Sequence, residues 1–108
     1  MNKMHPGEYI LYAYMEPLNI QAAELADRLD ISPSTLSRII NKKMDLSYEM
    51  AIRLSQVLGR SPESWIHIQM SYSLELARQK LDYSKLKPIS GLSYDEEEHK
   101  NDSTLTSA

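Results

Sequence analysis

Ser32, Thr35 and Arg38 stand three residues apart, in a stretch that also holds Ser34, Ser37, Asn41, Lys42 and Lys43 and no acidic residue. On a helix, positions three and four apart share a face, so this spacing gathers hydroxyls and a guanidinium on one side. The chemistry such a set can do is recognition rather than turnover. Arginine grips guanine O6 and N7 with two bonds, or a phosphate, and hydroxyls bond either partner. Gln21 opens the segment before it, where a polar side chain and free backbone N–H groups suit a phosphate. Taken singly, each of these residues is equally well a cap or part of a solvated face. Together with a sharp turn, a small residue at a helix crossing and a basic exit, they specify a pair of helices that reads double-stranded DNA in the major groove.

Such a face needs elements to hold it. Five segments have helical periodicity and none alternates as a strand, so the fold expected is all-α: a five-helix domain with a helix-turn-helix and a long fifth helix. The first helix follows His5-Pro6-Gly7-Glu8, with proline and an acid in the first turn. Ile10, Leu11, Tyr14 and Met15 share its inner face, and Glu16-Pro17 is expected to end it. The second runs from about Gln21 to Leu29 with Ala22, Leu25, Ala26 and Leu29 inward. Ala26 is the small residue that a close crossing requires. After the turn at Asp30-Ile31-Ser32, Ser32 caps the third helix and Pro33 fits its first position. There Leu36, Ile39 and Ile40 point inward. The fourth helix is capped by Ser47 and stopped by Gly59, and the fifth starts at Ser61-Pro62-Glu63 and runs to about Leu81 or Asp82.

The net charge of −3 hides an uneven distribution. From Ile89 onward, Asp95, Glu96, Glu97, Glu98 and Asp102 face Lys100 alone, while the rest of the chain is slightly basic. A local basic patch is what phosphate binding needs, whatever the total charge. Residues 1–83 read as the DNA-binding and dimerisation domain. Residues 84–108 read as a short extended arm over Ser84–Leu92, then a flexible, disordered acidic tail. There is no cysteine, and His5, His67 and His99 are far apart, so no metal site or cofactor is expected. Glu63 and His67 sit one turn apart without a nucleophile or a phosphate loop, which does not make an active site. No apolar run is long enough to span a membrane, and the cytoplasm is the compartment expected.

Along the fifth helix Trp65, Ile68, Tyr72 and Leu76 form one stripe that suits the core. Ile66, Met70, Leu74, Ala77 and Leu81 approximate a second stripe, which exceeds what one small core needs. It reads either as more core or, as favoured here, as a homodimer seam, since a two-fold protein matches two half-sites one DNA turn apart.

These strings resemble the HigA-type antitoxins within the Cro/repressor (XRE-like) helix-turn-helix family. The resemblance is carried by His5-Pro6-Gly7-Glu8, Glu16-Pro17-Leu18, Leu25-Ala26, Ile31-Ser32-Pro33-Ser34 and Ser37-Arg38-Ile39. It continues through Ala51-Ile52-Arg53-Leu54, Leu58-Gly59 and Ser61-Pro62-Glu63-Ser64-Trp65-Ile66 with Gln69, Tyr72 and Leu74. It implies a lambda-repressor-like fold and a dimer that represses its own operon and neutralises a HigB-type, RelE-like mRNA endonuclease. It also places Ser32, Thr35 and Arg38 at the DNA-reading positions. Two departures bear on the site. Asp30 stands where glycine is usual, and aspartate tolerates the left-handed conformation. Asn41-Lys42 replaces Asn-Gly, so either Lys42 takes a strained positive φ or Asn41 takes that role. Tyr9 and Tyr12, which cannot both face the core with Tyr14, are candidate toxin contacts, because tyrosine is enriched at interfaces. Tyrosines lying along a solvated surface are the alternative.

Overall fold

The computed structural model describes residues 3–92. The tail beyond Leu92, expected to be flexible and acidic, lies outside the described residues. Five helices follow one another: α1 (residues 6–18), α2 (Ala22–Leu29), α3 (Pro33–Ile40), α4 (Tyr48–Leu58) and α5 (Pro62–Lys80), with no strand among the described residues.

Local chemistry sets the helix starts. The Oγ of Ser32, Ser47 and Ser61 accepts the backbone N–H of Thr35, Met50 and Ser64 at 3.0–3.1 Å. Each cap thereby satisfies a donor that the helix itself leaves open. The α1 start uses a different residue for the same task. His5 Nδ1 accepts the Gly7 N–H at 2.9 Å, and Glu8 Oε1 accepts the His5 N–H at 3.2 Å, which closes a capping box.

The inward stripes meet where expected. Ile10, Leu25, Ala26, Leu29, Leu36, Ile39, Ala51, Leu54 and Trp65 are buried, and the indole N–H of Trp65 donates to the Gly59 carbonyl at 2.8 Å. Ala22 is the exception: it occupies the first position of α2 and is exposed, so that stripe reaches the core only from the second turn. In α5, Trp65 and Gln69 are buried, and Ile68, Tyr72 and Leu76 are half-buried. Beyond them the outer side of α5 leaves the core.

Glu16-Pro17 does not end α1. Pro6–Ile10 runs into a π-helical segment, Leu11–Met15, and a last α turn, Glu16–Leu18. A proline inside an α-helix clashes with the carbonyl four residues back. Here the Glu16 N–H reaches the Leu11 carbonyl five residues back, and the wider turn admits Pro17. It also puts residues five apart on one face, so that Ile10 and Met15 are both buried.

After α5, Ser84–Leu92 is not one extended arm. Asp82 accepts the Ser84 N–H at 3.0 Å and starts a 3-10 turn over Tyr83–Lys85. Gly91, at a φ of 85°, forms a second turn.

Candidate nucleic-acid interface

The pair α2–α3 carries the site, and both its ends are built alike. At the end of α2, Asp30 takes the left-handed conformation (φ 56°, ψ 47°). Its N–H donates to the Asp27 carbonyl and the Ile31 N–H to the Ala26 carbonyl. This is the Schellman pattern. At the end of α3, Asn41 stays on the right-handed side (φ −90°), and Lys42 takes the positive φ of 62°. The Lys42 N–H donates to the Ile39 carbonyl at 3.1 Å and the Lys43 N–H to the Arg38 carbonyl at 2.7 Å. Of the two alternatives for this exit, Lys42 therefore bears the strain, about 1 kcal/mol for a residue with a Cβ.

Two long-range contacts fix α3 that no local pattern announces. Gly7, in the first turn of α1, lies against the end of α3. A Cβ there would fall on the Ile39 carbonyl oxygen, 1.9 Å away. Arg53 of α4 donates to the Leu29 and Asp30 carbonyls at 2.9 and 3.1 Å while its other nitrogen holds Glu49 at 2.8 Å. It thus ties the turn before α3 to α4. Gln69 of α5 adds a third brace, accepting the Leu46 N–H at 2.8 Å and donating to Ser73 at 2.9 Å and Asp45 at 3.3 Å. The braces were hidden in sequence because each joins residues tens of positions apart. Only the glycine at position 7, in a helix's first turn, hinted at a close approach.

On the outer side of α3, Ser34, Ser37 and Arg38 are exposed and Thr35 is half-buried. Ser32 Oγ is engaged in the cap and also pairs with the hydroxyls of Ser34 at 3.1 Å and Thr35 at 2.8 Å. Asn41 folds back, donating to the Ser37 carbonyl at 2.8 Å and its Oγ at 3.2 Å. The side chains of Arg38 and Lys43 are exposed and make no hydrogen bond or ion pair among the described residues. Lys42 points the other way, with Nζ 3.8 Å from Glu8 Oε1. Gln21 is the N-cap of α2, exposed, and its side chain makes no capping bond. The α2 N-terminus therefore keeps its N–H groups open.

His5 sits beneath this exit, buried and edge-on to Tyr72 at 5.0 Å. Burial pushes its imidazole below the ordinary value, against the pull of the Asp45 and Glu8 carboxylates. The neutral ring is the form that lets Nδ1 accept the Gly7 N–H.

Tyr9 and Tyr12 part company. Tyr9 is half-buried, edge-on to Trp65 and Tyr14 at 5.7 Å, with Arg60 stacked over it and donating to its hydroxyl at 2.8 Å. Tyr12 is exposed. Of the second α5 stripe, Met70, Leu74, Ala77 and Leu81 are exposed and Ile66 is half-buried. Ile66 and Met70 line an apolar groove with Tyr48 and Ile52 of α4.

Two short packed helices with Ala26 buried, a braced turn, and a second helix with a polar outer face and a basic exit make a helix-turn-helix DNA-binding unit. Residues 11–65 match the helix-turn-helix family (HTH_3), and the chain belongs to that family. That membership sets it with DNA-binding regulators rather than with enzymes. It is 40% identical over 88 residues to YddM of Escherichia coli (strain K12), named an uncharacterized HTH-type transcriptional regulator, covering 82% of this chain and 93% of that one. Among solved structures, antitoxin GraA superposes with a TM-score of 0.78 at 28% identity over 82% of this chain and 99% of its own. Antitoxin HigA of Pseudomonas aeruginosa, solved with the higBA promoter, gives a TM-score of 0.73 at 28% identity with the same coverages.

Proposed function

We propose that this protein is the antitoxin of a HigA-type toxin–antitoxin pair. It binds operator DNA as a homodimer, represses its own operon from within the cytoplasm, and neutralises a RelE-like mRNA endonuclease of the HigB type. The observation that carries the DNA-binding part is the outward, unpartnered Arg38 on a helix braced at both ends, followed by Lys43. A side chain held over a rigid support is what base readout requires. Thr35 and Ser34 complete the reading face, with Ser32 and Asn41 shaping it, and Gln21 at the α2 N-terminus suits a backbone phosphate. The body through residue 83 carries these roles.

The test is binding of the full chain to the duplex upstream of its own gene and to an unrelated duplex. Arg38→Ala should weaken the first by about 1–3 kcal/mol and the second little. An equal loss on both reassigns Arg38 to phosphate, and no binding to either at low salt removes the DNA role.

The homodimer reading is supported by the exposed stripe Met70, Leu74, Ala77 and Leu81, continuous with Ile66. A monomeric mass in light scattering at micromolar concentration counts against it. For the toxin contact, Tyr12 offers free surface, whereas Tyr9 is occupied within the fold. Toxin binding unchanged in Tyr12→Ala would remove that assignment.

A second reading, a stand-alone regulator without a toxin, is favoured by the naming of the 40%-identical relative as a transcriptional regulator. A small basic RelE-like reading frame beside this gene, whose product co-purifies with the chain, decides for the antitoxin.

A further inference from the structure

We propose that Glu8 limits the affinity of this protein for DNA by holding Lys42 off the phosphate backbone. The inference rests on the DNA-binding reading above and assigns an affinity-setting residue outside the helix-turn-helix pair.

Three successive helices end on the same hydrogen-bond pattern, with Asn19, Asp30 and Lys42 in the left-handed position at φ values of 52°, 56° and 62°. Asparagine and aspartate tolerate that conformation through their short polar side chains. Lysine has no such excuse, and a strained residue with a Cβ points to a task for its side chain. Among the described residues that side chain has one ion-pair partner. Lys42 Nζ lies 3.8 Å from Glu8 Oε1, with the two side chains 47% and 32% exposed. The groove around the pair is also lined by Lys3, Glu75 and Gln79, and the Lys3 backbone N–H donates to Glu75.

Glu8 is not free to follow its partner. Its carboxylate accepts the His5 N–H in the capping box, and the turn that carries it is wedged by Gly7 against Ile39. Lys42 can therefore reach a phosphate only by leaving Glu8. Its neighbours Arg38 and Lys43, at the same exit, have no such restraint. An ion pair this exposed is weak, so the restraint is a modest one: it subtracts a phosphate contact without closing the site. Each phosphate neutralised on duplex DNA adds about 0.9 to the slope of log K against log salt. The slope thus counts whether Lys42 is engaged.

The experiment measures fluorescence anisotropy of two labelled duplexes, the DNA upstream of the protein's own gene and a mixed sequence of equal length, over a series of KCl concentrations. Glu8→Gln keeps an acceptor for the His5 N–H and removes the charge. It should bind both duplexes about threefold more tightly and steepen the slope by about 0.9. Lys42→Gln should leave the wild-type slope unchanged, and the double variant should match Lys42→Gln alone. The proposal is overturned if Glu8→Gln leaves the slope where it was, or if its gain survives without Lys42. A Lys42→Gln slope shallower by about 0.9 also overturns it, whether or not Glu8→Gln folds, since the lysine would then already be on phosphate. A wild-type chain that binds neither duplex removes the DNA reading itself and this inference with it. A wild-type chain that binds normally beside an inert Glu8→Gln removes this inference alone.

Discussion

The turn that leads into α3 and the turn that leads out of it share one hydrogen-bond pattern and differ in what holds them. Asp30, in the first, gains little from its side chain: it pairs with Arg53 at 3.8 Å, but the carboxylate is almost fully exposed and the pair is screened. The brace there acts on backbone, through the two carbonyls that Arg53 binds. The second turn has its backbone held by packing, through Gly7 on Ile39, and its side chain held by charge, through Glu8 on Lys42. The leading turn aims the start of α3, so on the proposed reading a small error there would move every base contact. The trailing turn carries Lys42 and Lys43, which on the reading proposed above face phosphates, and there charge can be added or withheld without moving the helix.

The comparison can be broken most severely at Gly7. Gly7→Ala puts a methyl group onto the Ile39 carbonyl oxygen, and neither backbone yields easily. We expect a loss of about 3 kcal/mol, read as a melting temperature lower by roughly 10 °C or more. A variant that melts like the wild type would mean α1 does not bear on α3 at all.

Arg53→Gln comes next. It removes the charged donor from two carbonyls at the leading turn and should cost about 1–2 kcal/mol in urea unfolding. Operator binding should fall further than that on unrelated DNA, because the base-reading end of α3 loses its brace. Equal losses on the two duplexes would make the brace purely a matter of stability.

The smallest effect sharpens the contrast. Lys42→Gly relieves the left-handed strain, at least about 1 kcal/mol, and adds unfolded-chain freedom, a smaller opposing term of about 0.5 kcal/mol. We expect a net gain of about 0.5 kcal/mol, measured by thermal melting. The corresponding change at Asp30 should gain less, since aspartate is already suited to the conformation. A Lys42→Gly chain less stable than the wild type would show that the Glu8 pair outweighs the strain.

Much of the fold was legible in sequence because its signals are local. Ser32-Pro33 and Ser61-Pro62 each set a cap beside a proline, and the helix starts fall there. The strained position at Asp30 was legible too, as the place of a missing glycine. Pro17 misled, because the rule that proline ends a helix holds for α geometry and the chain answered with a π segment. The inner stripe of α2 overreached at Ala22, where periodicity continues but the core does not. Least legible were the long-range polar bonds. Arg53 to Leu29 and Asp30, Gln69 to Leu46, and Arg60 to Tyr9 join side chains to partners that only the folded chain brings near. Arg53 and Gln69 could be quoted as part of a resemblance, but nothing in their spacing said what they hold. For the same reason Tyr9 could not be told from Tyr12 until Arg60 and Trp65 were in place around it.

A π turn contains one residue more than the α turn it replaces, so α1 has slack in its covalent length. Tyr12 and Ala13 within it are exposed. A sister chain without one of them would cross the same distance on an ordinary α turn and keep its first glycine seated on the reading helix. It would give up the re-phasing that buries Met15 and would need another residue at Pro17, which an ordinary α turn does not admit. The reading helix has no such slack, being pinned at both ends. Gains and losses of single residues are thus expected to accumulate within α1, between its first glycine and Pro17, as such chains diverge.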